Sequence, residues 1–188
     1  MKKFLALSLF LCIVASISCA LAFESSLGYS IELTDDWMEV SPLTLPELEK
    51  KGLKESLGAL GLNDAYFKNY ANRSHELIFC TPNEYGNIVV RQIAEENSAG
   101  NTLEDYLQEC KELVVPVYTN AGFNVILKPQ LLELGGREWV ALGLGASGRT
   151  VYQYMTINEH TGRWFNFTAT RVPDKVFVSM LETLSFAE

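Results

Sequence analysis

Basic charge is scarce in this chain: 15 lysines and arginines stand against 23 aspartates and glutamates in 188 residues, a formal net charge of -8. Affinity for a phosphate backbone comes mainly from clustered Lys and Arg that release counterions, so a general nucleic-acid binder is excluded. Histidine is scarcer still, with only His75 and His160. They fall in different predicted hairpins, and no His or Cys pair shows zinc-ligand spacing, so these residues predict no metal site. The Gly-x-Ser-x-Gly nucleophile elbow does not occur. The acidic turns Asp35-Asp36 and Asn83-Glu84 lack the spaced oxygen ligands of a calcium loop. There is no repeat, linker or low-complexity segment, and 48% hydrophobic with 20% charged residues is an ordinary globular composition.

What is present begins with an export pattern. Met1-Lys2-Lys3 is a positive start, Phe4 to Ile17 is almost unbroken apolar sequence, and Ala20-Leu21-Ala22 supplies the small residues a signal peptidase reads. Residues 1–22 therefore read as a secretory signal peptide cut before Phe23, with a cut before Leu21 as the neighbouring choice. Two alternatives stay open. Phe4 to Ala22 is about long enough to act as an uncleaved membrane anchor, and Cys19 could be a lipidated N-terminus, although Ser16 stands where a Leu is expected. The leading expectation is an exported protein, periplasmic or extracellular, with no membrane span after signal removal and one domain over residues 23–188. Loss of Lys2 and Lys3 takes the formal charge from -8 to -10. Cys12 and Cys19 leave with the signal, and the remaining pair, Cys80 and Cys110, invites one disulfide in an oxidising compartment. The competing reading makes Cys110 a small core residue of a helix and Cys80 a strand residue, both buried thiols.

Period and punctuation predict the elements. A strand over 28–33 precedes a helix opened by Thr44, with Pro46 in its first turn and Glu47 completing a capping box, running to Gly61. A short helix falls within 62–74. Strands 75–80 and 87–94 form a hairpin, and Thr102 to Asp105 caps the main helix, which Pro116 must end or kink and Gly122 must stop. Strands at 125–134, 137–147, 150–158 and 163–171 form an antiparallel meander, and Pro173-Asp174 opens a last helix. The fold class is α+β: an antiparallel sheet flanked by helices on both faces.

Gly143 to Gly148 matches the dinucleotide fingerprint, and Gly143 to Thr150 matches a P-loop apart from Arg149 in the lysine position. Both motifs need a helix afterwards, and the residues from Val151 to Ile157 alternate like a strand, so no helix N-terminus is available to a phosphate. No cofactor is predicted. A turn at Gly148-Arg149 sets Gly143 opposite Tyr154 and Gly145 opposite Tyr152, with Phe167 and Ala169 alongside, so the glycines leave room for rings. The same geometry gathers Arg137, His160 and Arg163 at one sheet end as a candidate contact for an anion or an acidic partner segment. The plainer alternative pairs those arginines with Glu138 and Glu159.

Tyr29-Ser30-Ile31 leading to Asp36-Trp37, the strand carrying Gly135-Gly136-Arg137-Glu138-Trp139, the aromatic hairpin 150–171 and the closing Phe177 to Phe186 resemble PsbP-like, or Mog-type, domains. The resemblance covers nearly all of the mature chain. That superfamily includes the photosystem II extrinsic subunit, a nuclear Ran-binding protein and exported bacterial families such as the DcrB-like proteins. It implies an α/β/α sandwich and a non-enzymatic accessory or binding protein of the cell envelope, with a protein or small-ligand partner it does not identify. It supplies no ligand motif and so no binding residues. The alternative is a small secreted hydrolase using carboxylates and His160.

Overall fold

A computed structural model describes residues 21–33, 37–52, 57–58, 76–80, 86–93 and 100–187. Residues 1–20 of the predicted signal over 1–22, the short helix within 62–74, His75 and the turns at 35–36 and 83–84 lie outside them. Two antiparallel sheets carry the fold. Strands β1 (Leu21–Glu24) and β2 (Tyr29–Leu33) pair with the closing β10 (Ser185–Phe186) in a three-stranded sheet. The second sheet has seven strands in the order β3-β4-β5-β9-β8-β7-β6, built from β3 (Met38–Glu39), β4 (Glu76–Cys80), β5 (Asn87–Gln92), β6 (Asn124–Leu134), β7 (Arg137–Ala146), β8 (Arg149–Ile157) and β9 (Trp164–Thr170). The predicted meander is its β6 to β9 half. Hairpin β4–β5 joins through β5 against β9, a long-range pairing that local pattern cannot reveal.

The sheet is apolar on both faces because its strands alternate large residues on each side. On one face Trp139, Ala141, Tyr154, Phe165, Phe167 and Ala169 meet Tyr29, Ile31 and Leu33 of β2, Phe186 of β10, and Phe177, Met180 and Leu181 of α4 (Asp174–Leu181). This corrects one expectation: the covering layer here is a small sheet with a helix beside it, not helices alone. The Tyr154 hydroxyl donates to Asp174 Oδ1 at 2.9 Å, tying β8 to the start of α4. On the opposite face Val140, Met155 and Trp164 lie under Leu103 and Cys110.

That second cover is the main helix. The expected capping box forms: Asp105 N–H donates to Thr102 Oγ1 at 3.2 Å, and Thr102 N–H to Asp105 Oδ2 at 2.9 Å. Helix α2 (Leu103–Glu109) then widens into a π turn over Cys110–Val114 before α3 (Val115–Asn120). Pro116 explains the widening, since a ring with no N–H cannot close an ordinary turn against the carbonyl four residues back. The helical path continues through that turn and stops at Gly122 as predicted, with φ +89°.

The first helix departs from prediction. Helix α1 spans only Leu45–Lys50, and its Thr44 makes no side-chain cap. Thr44 Oγ1 instead accepts from Ser41 N–H at 2.9 Å, closing the preceding turn. Gly52, at φ +80°, breaks the continuous helix expected up to Gly61. Strand β1 also went unpredicted. It starts two residues ahead of the predicted signal cut, and Phe23, the first residue past that cut, packs edge-to-face on Phe79 at 4.9 Å.

The β7–β8 turn is corrected by one residue. Ala146 pairs with Arg149, so the two-residue turn is Ser147-Gly148, with φ of +46° and +77°. A type I′ turn needs positive φ at both central positions, and a turn at Gly148-Arg149 would ask that of a long arginine. Gly143 therefore opposes Tyr152 and Gly145 opposes Thr150. Partners slip by two, so every side chain keeps its predicted face. Phe167 and Ala169 stand beside Tyr154 and Tyr152 as expected.

Candidate functional site

The strand ends do bring the three predicted contact residues to one end of the sheet. Arg137 opens β7, and the Asn158 N–H donates to the Arg163 carbonyl at 2.8 Å across the β8–β9 connection. Asn158 is buried, and its Oδ1 accepts from the N–H groups of His160 and Thr161, which fixes the loop and leaves the His160 side chain exposed. The arginines are engaged. Arg137 has a side chain only 13% exposed; its Nη2 lies 3.4 Å from Glu159 Oε1, its Nη1 donates to the Leu184 carbonyl at 3.2 Å, and its guanidinium sits 4.5 Å from the Phe186 ring centre. Arg163 Nε and Nη1 lie 3.2 and 3.3 Å from the Gln92 side-chain oxygen when that amide faces it. Arg137 thus clamps the chain end onto the sheet, and its pairing with Glu159 follows the plainer alternative.

Gly143 to Ala146 lie in β7 and β8 follows directly, so the glycine motif has no helix after it. Its steric reading is supported. A Cβ on Gly143 would stand 2.7 Å from Leu127 Cβ and 2.9 Å from Tyr152 Cε1. Cys110 is a buried, free thiol, and burial pushes its pKa up, which keeps it protonated and unreactive near neutrality. The backbone of Cys80 ends β4 level with Asn87 and Thr170, whereas Cys110 sits over Val140 and Met155, further along the strands. The Cys80 side chain lies outside the described residues.

Sequence reasoning missed a cleft of about 330 Å³ on the helix-covered face, lined by Ile93, Asn101, Asp105, Tyr106, Glu109, Met155 and Trp164. Its floor is fixed. Trp164 and Met155 are buried in the sheet, and Tyr106 meets Trp164 edge-to-face at 6.2 Å. Gln153 Nε2 donates to the Tyr106 hydroxyl at 2.8 Å, pinning the ring to β8. Burial, with the neighbouring Cys110 adding to it, pushes the Tyr106 hydroxyl above the ordinary tyrosine range, so it stays neutral. The rim is acidic: Asp105 and Glu109 are exposed and one helical turn apart, and no Lys or Arg lines the cleft. Asp105 is held by its cap bonds to Thr102. The signal that could have found this site is the pair of acids at i and i+4, Asp105 and Glu109, flanking the aromatic Tyr106.

No protein-family model and no curated protein matches the chain. Among solved structures it is similar to a protein of Bacteroides thetaiotaomicron, with 15% identity, a TM-score of 0.49 and coverage of 89% of this chain and 48% of that one. The chain thus spans about half the length of that protein. It is also similar to LpqN of Mycobacterium tuberculosis, described as involved in cell envelope biogenesis, with 15% identity, a TM-score of 0.40 and coverage of 85% and 83%. Among the described residues, no helix is long and apolar enough to cross a membrane, and no group of His, Cys, Asp and Glu could hold a metal ion.

Proposed function

We propose that this chain is an exported, non-enzymatic binding protein of the cell envelope, of the kind the PsbP-like resemblance implies, and that its binding site is the cleft between α2 and the sheet. One observation carries the reading: a cleft of about 330 Å³ joins the apolar side chains of Met155, Trp164 and Ile93 to a rim of exposed polar side chains. Ligand sites are concave and mostly apolar with a few orienting polar groups, commonly from about 300 Å³ upward. The hydrolase alternative needs a base beside a nucleophile. His160 is on the exposed β8–β9 loop and does not line the cleft. Binding is tested through the three tryptophan indole resonances of the ¹⁵N-labelled protein, that of Trp164 being assigned with Trp164→Phe. A screen of small amphipathic compounds is expected to give saturable shifts of the Trp164 indole. If compounds that bind move only Trp37 or Trp139, or if none moves Trp164, the reading falls.

A further inference from the structure

Resting on that reading, we infer that the cleft takes an organic cation: an ammonium or guanidinium carried on a short apolar stem. The stem has a place against Met155, Ile93 and the Trp164 ring, and the cation against Asp105 and Glu109, with two aromatic rings beside it. Aromatic faces attract cations through their quadrupole, and the attraction grows as water is excluded. Neutral and anionic ligands fit less well. Two carboxylates and no lining cation repel an anion, and the Thr102 and Asp105 N–H groups at the start of α2, which could otherwise receive one, are already bonded. A neutral stem would bring no counter-charge to the acidic rim. The formal charge of the whole chain, -8, favours approach of the same class of ligand.

The chemistry has two sources, a free alkylamine or the side chain of a basic peptide, and the probes separate them. Cadaverine represents the first, N-acetyl-lysinamide the second, and 1-pentanol and pentanoate are the uncharged and anionic controls. The readout is the Trp164 indole shift at low ionic strength, where exposed charge contacts are least screened. At least one ammonium probe is expected to saturate with an affinity about tenfold or more above that of pentanol, and pentanoate to be weaker still. Glu109→Gln, an exposed substitution that should leave the fold intact, is expected to weaken the ammonium probe about 2- to 5-fold and leave pentanol unchanged. Preference for cadaverine assigns a free amine, and preference for the blocked lysine a peptide. Equal binding of pentanol and the ammonium probes, or an unchanged ammonium affinity in Glu109→Gln, overturns the cation inference while the cleft remains a binding site. Failure of every probe to move Trp164 overturns the inference, and only the wider screen above decides whether the cleft reading falls with it.

Discussion

Replacing Gly143 by Ala should destabilise the protein, and replacing Gly145 by Ala should not, although the two glycines share a strand and a face. At Gly143 the added methyl would meet Leu127 Cβ at 2.7 Å and the Tyr152 ring at 2.9 and 3.0 Å. The ring can swing aside. Leu127 Cβ cannot, because it is fixed to the backbone of the neighbouring strand, so β6 must shift away from β7. Overpacking of this kind costs about 1–3 kcal/mol, offset by roughly 0.4–1 kcal/mol from the less flexible unfolded chain. A net loss of about 1–2 kcal/mol remains, which for a chain of this size lowers Tm by roughly 2–8 °C. At Gly145 the nearest atom is Ile126 Cγ2 at 3.2 Å, a half-exposed methyl with room to turn, so Gly145→Ala should stay within about 0.5 kcal/mol of the parent. Calorimetric melting of both variants tests this. The geometry makes a further demand: Tyr152→Ser should recover only part of the Gly143→Ala loss, and Leu127→Ala none, since alanine keeps the offending Cβ. A Gly145→Ala loss equal to that of Gly143→Ala, or full rescue by Leu127→Ala, would refute the steric argument.

Gly135→Ala should cost about 1–3 kcal/mol beyond the roughly 1–2 kcal/mol of a left-handed alanine, because its Cβ would stand 2.6 Å from the Glu182 carbonyl oxygen. Gly136→Ala, with open space at φ +72°, should cost only the latter, and equal Tm losses would contradict this. Thr102→Ala removes the cap of α2 and should lower stability by about 0.5–2 kcal/mol in urea unfolding; an unchanged midpoint would show the cap to be idle. Arg137→Ala should lower the urea midpoint by a similar amount at low and at high salt, since the buried contacts with Phe186 and Leu184 outweigh the exposed pair with Glu159; a loss that disappears in salt would reverse that order. Burial raises the Tyr29, Tyr106 and Tyr154 hydroxyls above the ordinary value near 10, so the unfolded chain releases these protons first. Stability should therefore be fully present below about pH 10 and fall as pH rises beyond it, and a flat Tm up to pH 11.5 would exclude the effect.

Local rules were enough wherever the chain's own geometry decides. The Gly135-Gly136 turn, the Thr102–Asp105 cap, the stop at Gly122 and the two-faced apolar alternation of β7 to β9 all follow from residues within a few positions of one another. Failures came where two local patterns claim one group or where distant parts meet. Thr44 carries every sign of a cap, yet a bond to Ser41 takes its hydroxyl. Pro116 left an end or a kink open, and the π turn that answers it, over Cys110–Val114, is seated on the sheet by the buried Cys110. Arg137 reads as surface charge between a turn and Glu138, and only the return of Phe186 and the Leu184 carbonyl to that strand end turns it into a buried clamp. The cleft was hidden for the same reason. Tyr106 and Trp164 are 58 positions apart in the chain, the first half-buried and the second buried. What makes them the floor of a site is the cleft they line together with the acids of α2, and a cleft is a property of the fold that no window of sequence contains. Asp105 was legible as part of a cap; what it and Glu109 can do depends on the rings they overlook.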